Sequence, residues 1–175
     1  MKWLARTITP GSVIYDIGSA NGHEALVAAK LAGPDGLVFA FEPDGDARRG
    51  MKVNLDANAE LAKRIHVLPF FVGNRHDPGN GRVTIDAVSG EQRIPPPDIV
   101  KIDVEGVECE VLEGMEHLAE TRCPHTFVEC HLGPHIEDSV RGFFARHLVP
   151  VRRSCPSLLE VSRRGYNAWI WTAKS

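Results

Sequence analysis

Three stretches of this chain gather residues that can bind or react, and a histidine joins them from further along. Asp16-Ile17-Gly18-Ser19-Ala20-Asn21-Gly22 is an acid followed by a turn of small residues. Gly18 permits a backbone conformation or a close approach that a side chain would block. Gly22, with Ser19 and Ala20, lets the chain run closely over a bound ligand into the next helix, whose first amides can take an anion. Asp16 is expected to face a cationic group or a hydroxyl. Glu42, before Pro43, lies 20 residues beyond Gly22. A carboxylate there can accept both hydroxyls of a ribose. Lys101-Ile102-Asp103-Val104-Glu105-Gly106-Val107-Glu108 sets three acids around a strand end and a helix start. Strand alternation turns Lys101 and Asp103 to one face. Asp103 is the functional candidate, able to hold an ammonium, orient a hydroxyl or help hold a divalent ion. Glu105 and Glu108 suit the helix N-terminus, and Glu108 reads as a capping acid. His131 is the better candidate for proton transfer, because imidazole titrates near neutrality, with Asp103 the alternative base; His23 and His76 are lesser candidates.

Each signal has a plainer reading. Two glycines can simply make a tight turn, and Glu42 can serve the start of a helix. A nicotinamide site asks for Gly-x-Gly-x-x-Gly, and Gly18-Ser19-Ala20-Asn21-Gly22 lacks that triplet. Asp103, Glu129, His131 and His135 could converge on a divalent metal, but His131 to His135 shows no firm ligand geometry, so no metal is assigned.

These residues need a scaffold that collects strand ends. Val13 to Ile17, Leu37 to Phe41, Ile65 to Val72, Ile99 to Ile102 and Thr126 to Glu129 read as strands, with helices between them. Helices are expected from Glu24 to Ala32, from about Asp44 to Ala59, along Val107 to Leu118, and on the Ile136, Val140, Phe143, Phe144, Leu148 stripe. Pro69 interrupts the third strand. Arg82 to Ile85 offers a short edge strand inside the poorly patterned stretch from Gly73 to Pro97. Val149-Pro150-Val151 and Ala168 to Thr172 supply two late strands, expected to be antiparallel at one edge. The expected fold is α/β: a doubly wound, mostly parallel, seven-stranded sheet in one domain spanning 1–175. Ligands of such sheets bind at the carboxyl ends of the strands, where strand order reverses.

Composition bounds the rest. A chain of 175 residues fits one domain, and a net charge of −3 advertises no polyanion partner. Arg146, Arg152, Arg153, Arg163 and Arg164 bias the C-terminal part towards basic, which reads first as a solvated rim. No stretch approaches the roughly 20 apolar residues of a membrane span, and no secretory signal is visible. Cys109, Cys123, Cys130 and Cys155 form no close pair and no zinc-finger spacing, so reduced thiols in a cytoplasmic protein are expected.

The segments Tyr15 to Pro43, Asn54-Leu55, Thr84 to Asp86, Asp98 to Met115, Phe127 to His131 and Asn167 to Trp171 together resemble the FkbM family of S-adenosylmethionine-dependent methyltransferases. The resemblance runs over residues 13 to 172. It implies a Rossmann-like class I fold with S-adenosyl-L-methionine as cofactor. Methyl transfer to a hydroxyl of a small molecule or sugar is the activity it implies. By that resemblance Asp16, Gly18 and Gly22 border the methionine part, Glu42 holds the ribose with Pro43 beside it, and Asn74 lies near the adenine. Asp103 and Glu105 belong to the family's signature at the active-site edge. Family members often carry an N-terminal extension and a longer stretch between the third and fourth strands. Here 12 residues precede Val13 and the 73–97 stretch is short. The expectation is that the cover is absent, supplied by a second subunit of a homodimer, or replaced by a large substrate. Two other readings follow: a cofactor-binding or regulatory domain without turnover, and a nucleic-acid methyltransferase. The latter lacks the aromatic-Pro-Pro tetrad that reads a flipped base, because Pro95 follows Ile94.

Overall fold

A computed structural model describes residues 4–90, 94–122, 124–131, 134–146 and 167–170. The chain enters through α1 (Leu4–Thr7), then β1 (Val13–Ile17), α2 (His23–Ala32), β2 (Leu37–Phe41), α3 (Gly45–Asp56), α4 (Ala59–Ala62) and β3 (Ile65–Leu68). Next come β4 (Phe71–Val72), a 3-10 turn at Pro78–Asn80, β5 (Arg82–Val83), α5 (Ile85–Gly90) and β6 (Ile99–Ile102). The described chain closes with α6 (Glu108–Glu113), α7 (Glu116–Thr121), β7 (His125–Cys130), α8 (Pro134–Arg146) and β8 (Asn167–Ile170).

The main sheet has the order β3-β2-β1-β6-β7-β8. Its first five strands run parallel, and β8 pairs antiparallel with β7, for example Val128 opposite Trp169. The fold is the doubly wound, mostly parallel sheet flanked by helices that characterises Rossmann-like class I methyltransferases. Six strands form this sheet among the described residues; the expected strand at Val149 to Val151 lies outside them.

Strand alternation builds a core on each face. Tyr15, Ile17, Phe39, Phe41, Val100 and Ile102 point to one side, where α6, α7 and α8 supply Val111, Leu112, Leu118, Val140 and Phe143. Tyr15 meets Phe39 and Phe41 with ring centroids 5.6 and 5.5 Å apart. Each such buried side chain contributes roughly 1.5–3 kcal/mol. On the other side Ile14, Val38, Ala40 and Ile99 meet Ala25, Ala28, Ala29 and Ala32 of α2. That small-residue face seats the helix closely on the sheet.

Two expected elements are broken in the structure. The run Ile65 to Val72 divides at Pro69: β3 joins the main sheet, whereas β4 pairs in parallel with β5 in a separate two-stranded sheet. Proline has no N–H to donate to a ladder, so pairing stops there. The helix expected along Val107 to Leu118 divides into α6 and α7 at Gly114. A β-carbon on Gly114 would lie 2.1 Å from the Gly73 carbonyl oxygen. The chain gives up helix continuity for that close contact. Arg82 and Val83 form a strand as expected, though Ile85 already begins α5.

Candidate active site

Strand order reverses between β1 and β6, and the two strands stop together. The Asp103 amide donates to the Ile17 carbonyl (3.0 Å), and the Gly18 amide donates to that of Phe41 (3.0 Å). Gly18 sits at φ +78°. Just beyond these strand ends lies a pocket of about 260 Å³. Phe41, Pro43, Phe70, Phe71 and Val72 form an apolar wall, facing Val104 and Val107; Gly18, Ala20, Glu42, Asp103 and Glu105 supply the polar edge. A wider depression of about 520 Å³ lies elsewhere, beside Thr9, Asp98, Arg122 and His125. It includes none of the candidate residues.

Glu42 is 8% exposed, and backbone donors fix its carboxylate. Ala20 N donates to Oε2 (2.8 Å) and Asp44 N donates to Oε1 (2.9 Å). Each carboxylate oxygen keeps acceptor capacity for a ligand hydroxyl. Ala20 and Glu105, on the pocket edge, are the non-glycine residues at positive φ among those described, at +46° and +49°. Left-handed backbone costs of order 1 kcal/mol or more at such residues and concentrates where function holds it in place.

Beside the pocket, charge is concentrated around Lys101. Its Nζ lies 2.8 Å from Glu24 Oε2, 3.1 Å from Asp16 Oδ1 and 3.4 Å from Asp103 Oδ2. Burial works against this ammonium, but Asp16, Glu24 and Asp103 outweigh it and push its pKa above the usual lysine value. Further out, His131 Nε2 is 3.5 Å from Asp103 Oδ1, and Nδ1 is 2.9 Å from Glu108 Oε1. Burial, then the Asp103 charge, raises the Glu129 carboxyl above its ordinary range. Ligand atoms of Asp103, Glu129 and His131 lie within 4.8 Å of one another, close enough to hold one divalent cation.

The structure thus brings Gly18, Ala20, Glu42, Pro43, Asp103 and Glu105 to the pocket, with His131 behind Asp103. It does not bring the remaining candidates to the pocket wall. Asp16 does face a cation, but that cation is the chain's own Lys101, and Ser19 Oγ donates to its Oδ2 (2.7 Å). The Asn21 carbonyl accepts from Asn54 Nδ2 (2.9 Å), tying the turn to α3. A β-carbon on Gly22 would lie 2.6 Å from Met51 Cγ, so this glycine serves helix packing. Asn74 is exposed and donates to Glu113 Oε2 (2.8 Å), because the break at Pro69 has moved it away from the main-sheet edge. His23 and His76 are exposed and outside the lining. His135 has no described side chain. The pocket also takes Phe70, Phe71, Val104 and Val107, which the sequence reading did not single out and whose signal is their place around the strand ends. Glu108, an acid of the first helical turn as expected, is fully buried beside His131.

Comparison with known proteins agrees with this class of fold. The profile of the methyltransferase FkbM domain matches residues 81–155. That span holds Asp103, Glu105, Glu108 and His131 but neither the Asp16 to Gly22 turn nor Glu42. The chain is 29% identical to the hexuronic acid methyltransferase AglP of Haloferax volcanii, over 76% of this chain and 62% of that protein. The chain therefore spans less than two thirds of the length of this curated relative. Among solved structures it superposes on a putative rRNA-methylase from Clostridium thermocellum with a TM-score of 0.71 at 14% identity, covering 99% of this chain and 93% of the other. It also superposes on the FkbM methyltransferase from Methylobacillus flagellatus with a TM-score of 0.67 at 16% identity, covering 97% and 49%. No helix among the described residues is long and apolar enough to cross a membrane.

Proposed function

We propose that this chain is an S-adenosylmethionine-dependent methyltransferase of the FkbM family that methylates a hydroxyl oxygen of a small molecule or sugar. The observation that carries the reading is the pocket itself. An apolar slot suits an adenine, and a carboxylate pinned by two backbone amides suits the hydroxyls of a ribose. Glu42 would hold the ribose, Phe70 and Phe71 would flank the base, and Gly18 and Asp103 would border the methionine part. When bound, the cofactor would supply a sulfonium carbon as methyl donor to an acceptor oxygen, its sulfur leaving with the carbon–sulfur electron pair.

The chain's own work is to align the acceptor and receive its proton. Proximity and orientation supply much of the barrier reduction in such transfers. Asp103 orients the hydroxyl and His131 accepts its proton. Titration calorimetry with S-adenosylmethionine against NAD tests the cofactor; heat with NAD alone overturns it. Transfer of labelled methyl to methyl glycosides of hexuronic acids and neutral hexoses tests the acceptor class. Cofactor binding without transfer to any hydroxyl, carboxyl or amine compound favours a binding domain instead. The likeness to an rRNA-methylase fold favours, as a second reading, a nucleic-acid acceptor, for which salt-dependent RNA binding is the check.

A further inference from the structure

Glu108 is a buried charged residue that the cofactor pocket does not use. It stands in the first turn of α6 with no exposed surface. Capping does not require such depth, since an exposed acid serves a helix start equally well, and burying a carboxylate is expensive. Its Oε1 accepts from the Gly106 amide (3.0 Å) and from the His131 amide (3.2 Å), and lies 2.9 Å from His131 Nδ1. Its Oε2 is buried and has no hydrogen-bond partner among the described residues.

An ionised carboxylate has no hydrogen to give, so the short contact requires the proton on Nδ1. With the proton on Nε2 instead, two lone pairs would face each other across 2.9 Å. Asp103 Oδ1 competes weakly for the proton, because it lies 3.5 Å from Nε2, beyond the usual N–H···O range. Of these two carboxylate contacts, the shorter favours the proton on Nδ1.

We propose that Glu108 is a positioning residue for His131. It holds the Nδ1–H, sets the ring orientation, and turns an unprotonated Nε2 towards Asp103 at the pocket edge, where it takes the proton of the methyl acceptor. The inference rests on the methyl-transfer reading above. As the acceptor oxygen bonds to the methyl carbon, its O–H bond breaks, the electron pair stays on oxygen, and the proton moves to Nε2. The resulting imidazolium lies between the Glu108 and Asp103 carboxylates. A carboxylate that orients a histidine in this way is a recurrent device of proton-transfer sites.

The test is a long-range ¹H–¹⁵N correlation spectrum of the full chain labelled in its histidines, with His131 assigned through His131→Gln. The neutral ring is expected as the Nδ1–H form in the wild type. In Glu108→Gln the Gly106 and His131 amides keep an oxygen in the place of Oε1, so the same form is expected. In Glu108→Met the acceptor is gone and the Nε2–H form is expected to grow. A wild-type or Glu108→Gln ring in the Nε2–H form overturns the proposal, as does an unchanged tautomer in a folded Glu108→Met. Should Glu108→Met not fold, the first two spectra still decide. Calorimetry on the same samples keeps the two readings apart. S-adenosylmethionine affinity should agree within about twofold between wild type and Glu108→Gln. Wild-type protein that binds no S-adenosylmethionine overturns the methyl-transfer reading, whatever the tautomer.

Discussion

Gly18 and Asp103 meet so closely that a β-carbon on Gly18 would lie 1.9 Å from the Asp103 carbonyl oxygen. The contact joins the ends of β1 and β6, and Gly18 at φ +78° adopts a backbone that side chains resist. Gly18→Ala therefore has to separate the two strand ends. We expect a loss of about 2–4 kcal/mol in urea unfolding, together with loss of the pocket proposed for the cofactor. An alanine variant of wild-type stability would mean that the contact is softer than described.

Lys101 holds three carboxylates, of which Asp16 is buried. Lys101→Met leaves that charge without its cation and should cost about 3–5 kcal/mol. Adding Asp16→Asn should recover a large part of the loss, and a double-mutant cycle measures the coupling. Because the folded state raises the lysine pKa, this stabilisation is present below the usual lysine range and is lost only as pH rises through the raised value. The gap between wild type and Lys101→Met should stay open through mildly alkaline pH.

For Glu42 the readout is affinity. Glu42→Ala removes the acceptor for the Ala20 and Asp44 amides along with two hydrogen bonds proposed for the ribose. Binding of S-adenosylmethionine, followed by calorimetry, should weaken by roughly 10- to 100-fold. Wild-type affinity in this variant would contradict the ribose assignment.

Glu129 predicts a pH effect of the opposite kind to that of a stabilising acid. Burial and Asp103 raise its pKa, so its charged form is disfavoured in the folded protein. Its relative stabilisation is present below the unfolded carboxylate pKa and is lost as pH rises through the raised folded value. Glu129→Gln should therefore raise the Tm slightly near neutral pH. The advantage over wild type should shrink as pH falls through the carboxylate range.

The elements most legible in the sequence are those where one local rule has no competitor. The apolar strand Leu37 to Phe41 and the alanine-rich α2 followed from composition and period, and Lys101 and Asp103 fell on one face as strand alternation requires. The breaks at Pro69 and Gly114 depend on what the chain meets in space. Pro69 announced an interruption, but not that Phe71 and Val72 would pair with Arg82 and Val83. Gly114 showed no reason to break a good amphipathic pattern until Gly73 stood against it. Within the site, Gly18 and Glu42 were readable because their types are unusual at strand ends. Glu108 was not, since an acid in a first helical turn is ordinary and only its depth beside His131 distinguishes it.

The split at Pro69 also bears on how such a pocket could diversify. Phe71 and Val72 sit on a two-stranded ribbon that shares no ladder hydrogen bond with the main sheet among the described residues. The carboxylate Glu42 and the strand ends at Gly18 and Asp103 belong to the main sheet and its immediate turns. One side of the pocket is thus built as an exchangeable panel. Insertions in the ribbon can reshape the wall beside the ligand while the register of the parallel strands, and with it the placement of Glu42 and Asp103, stays as it is.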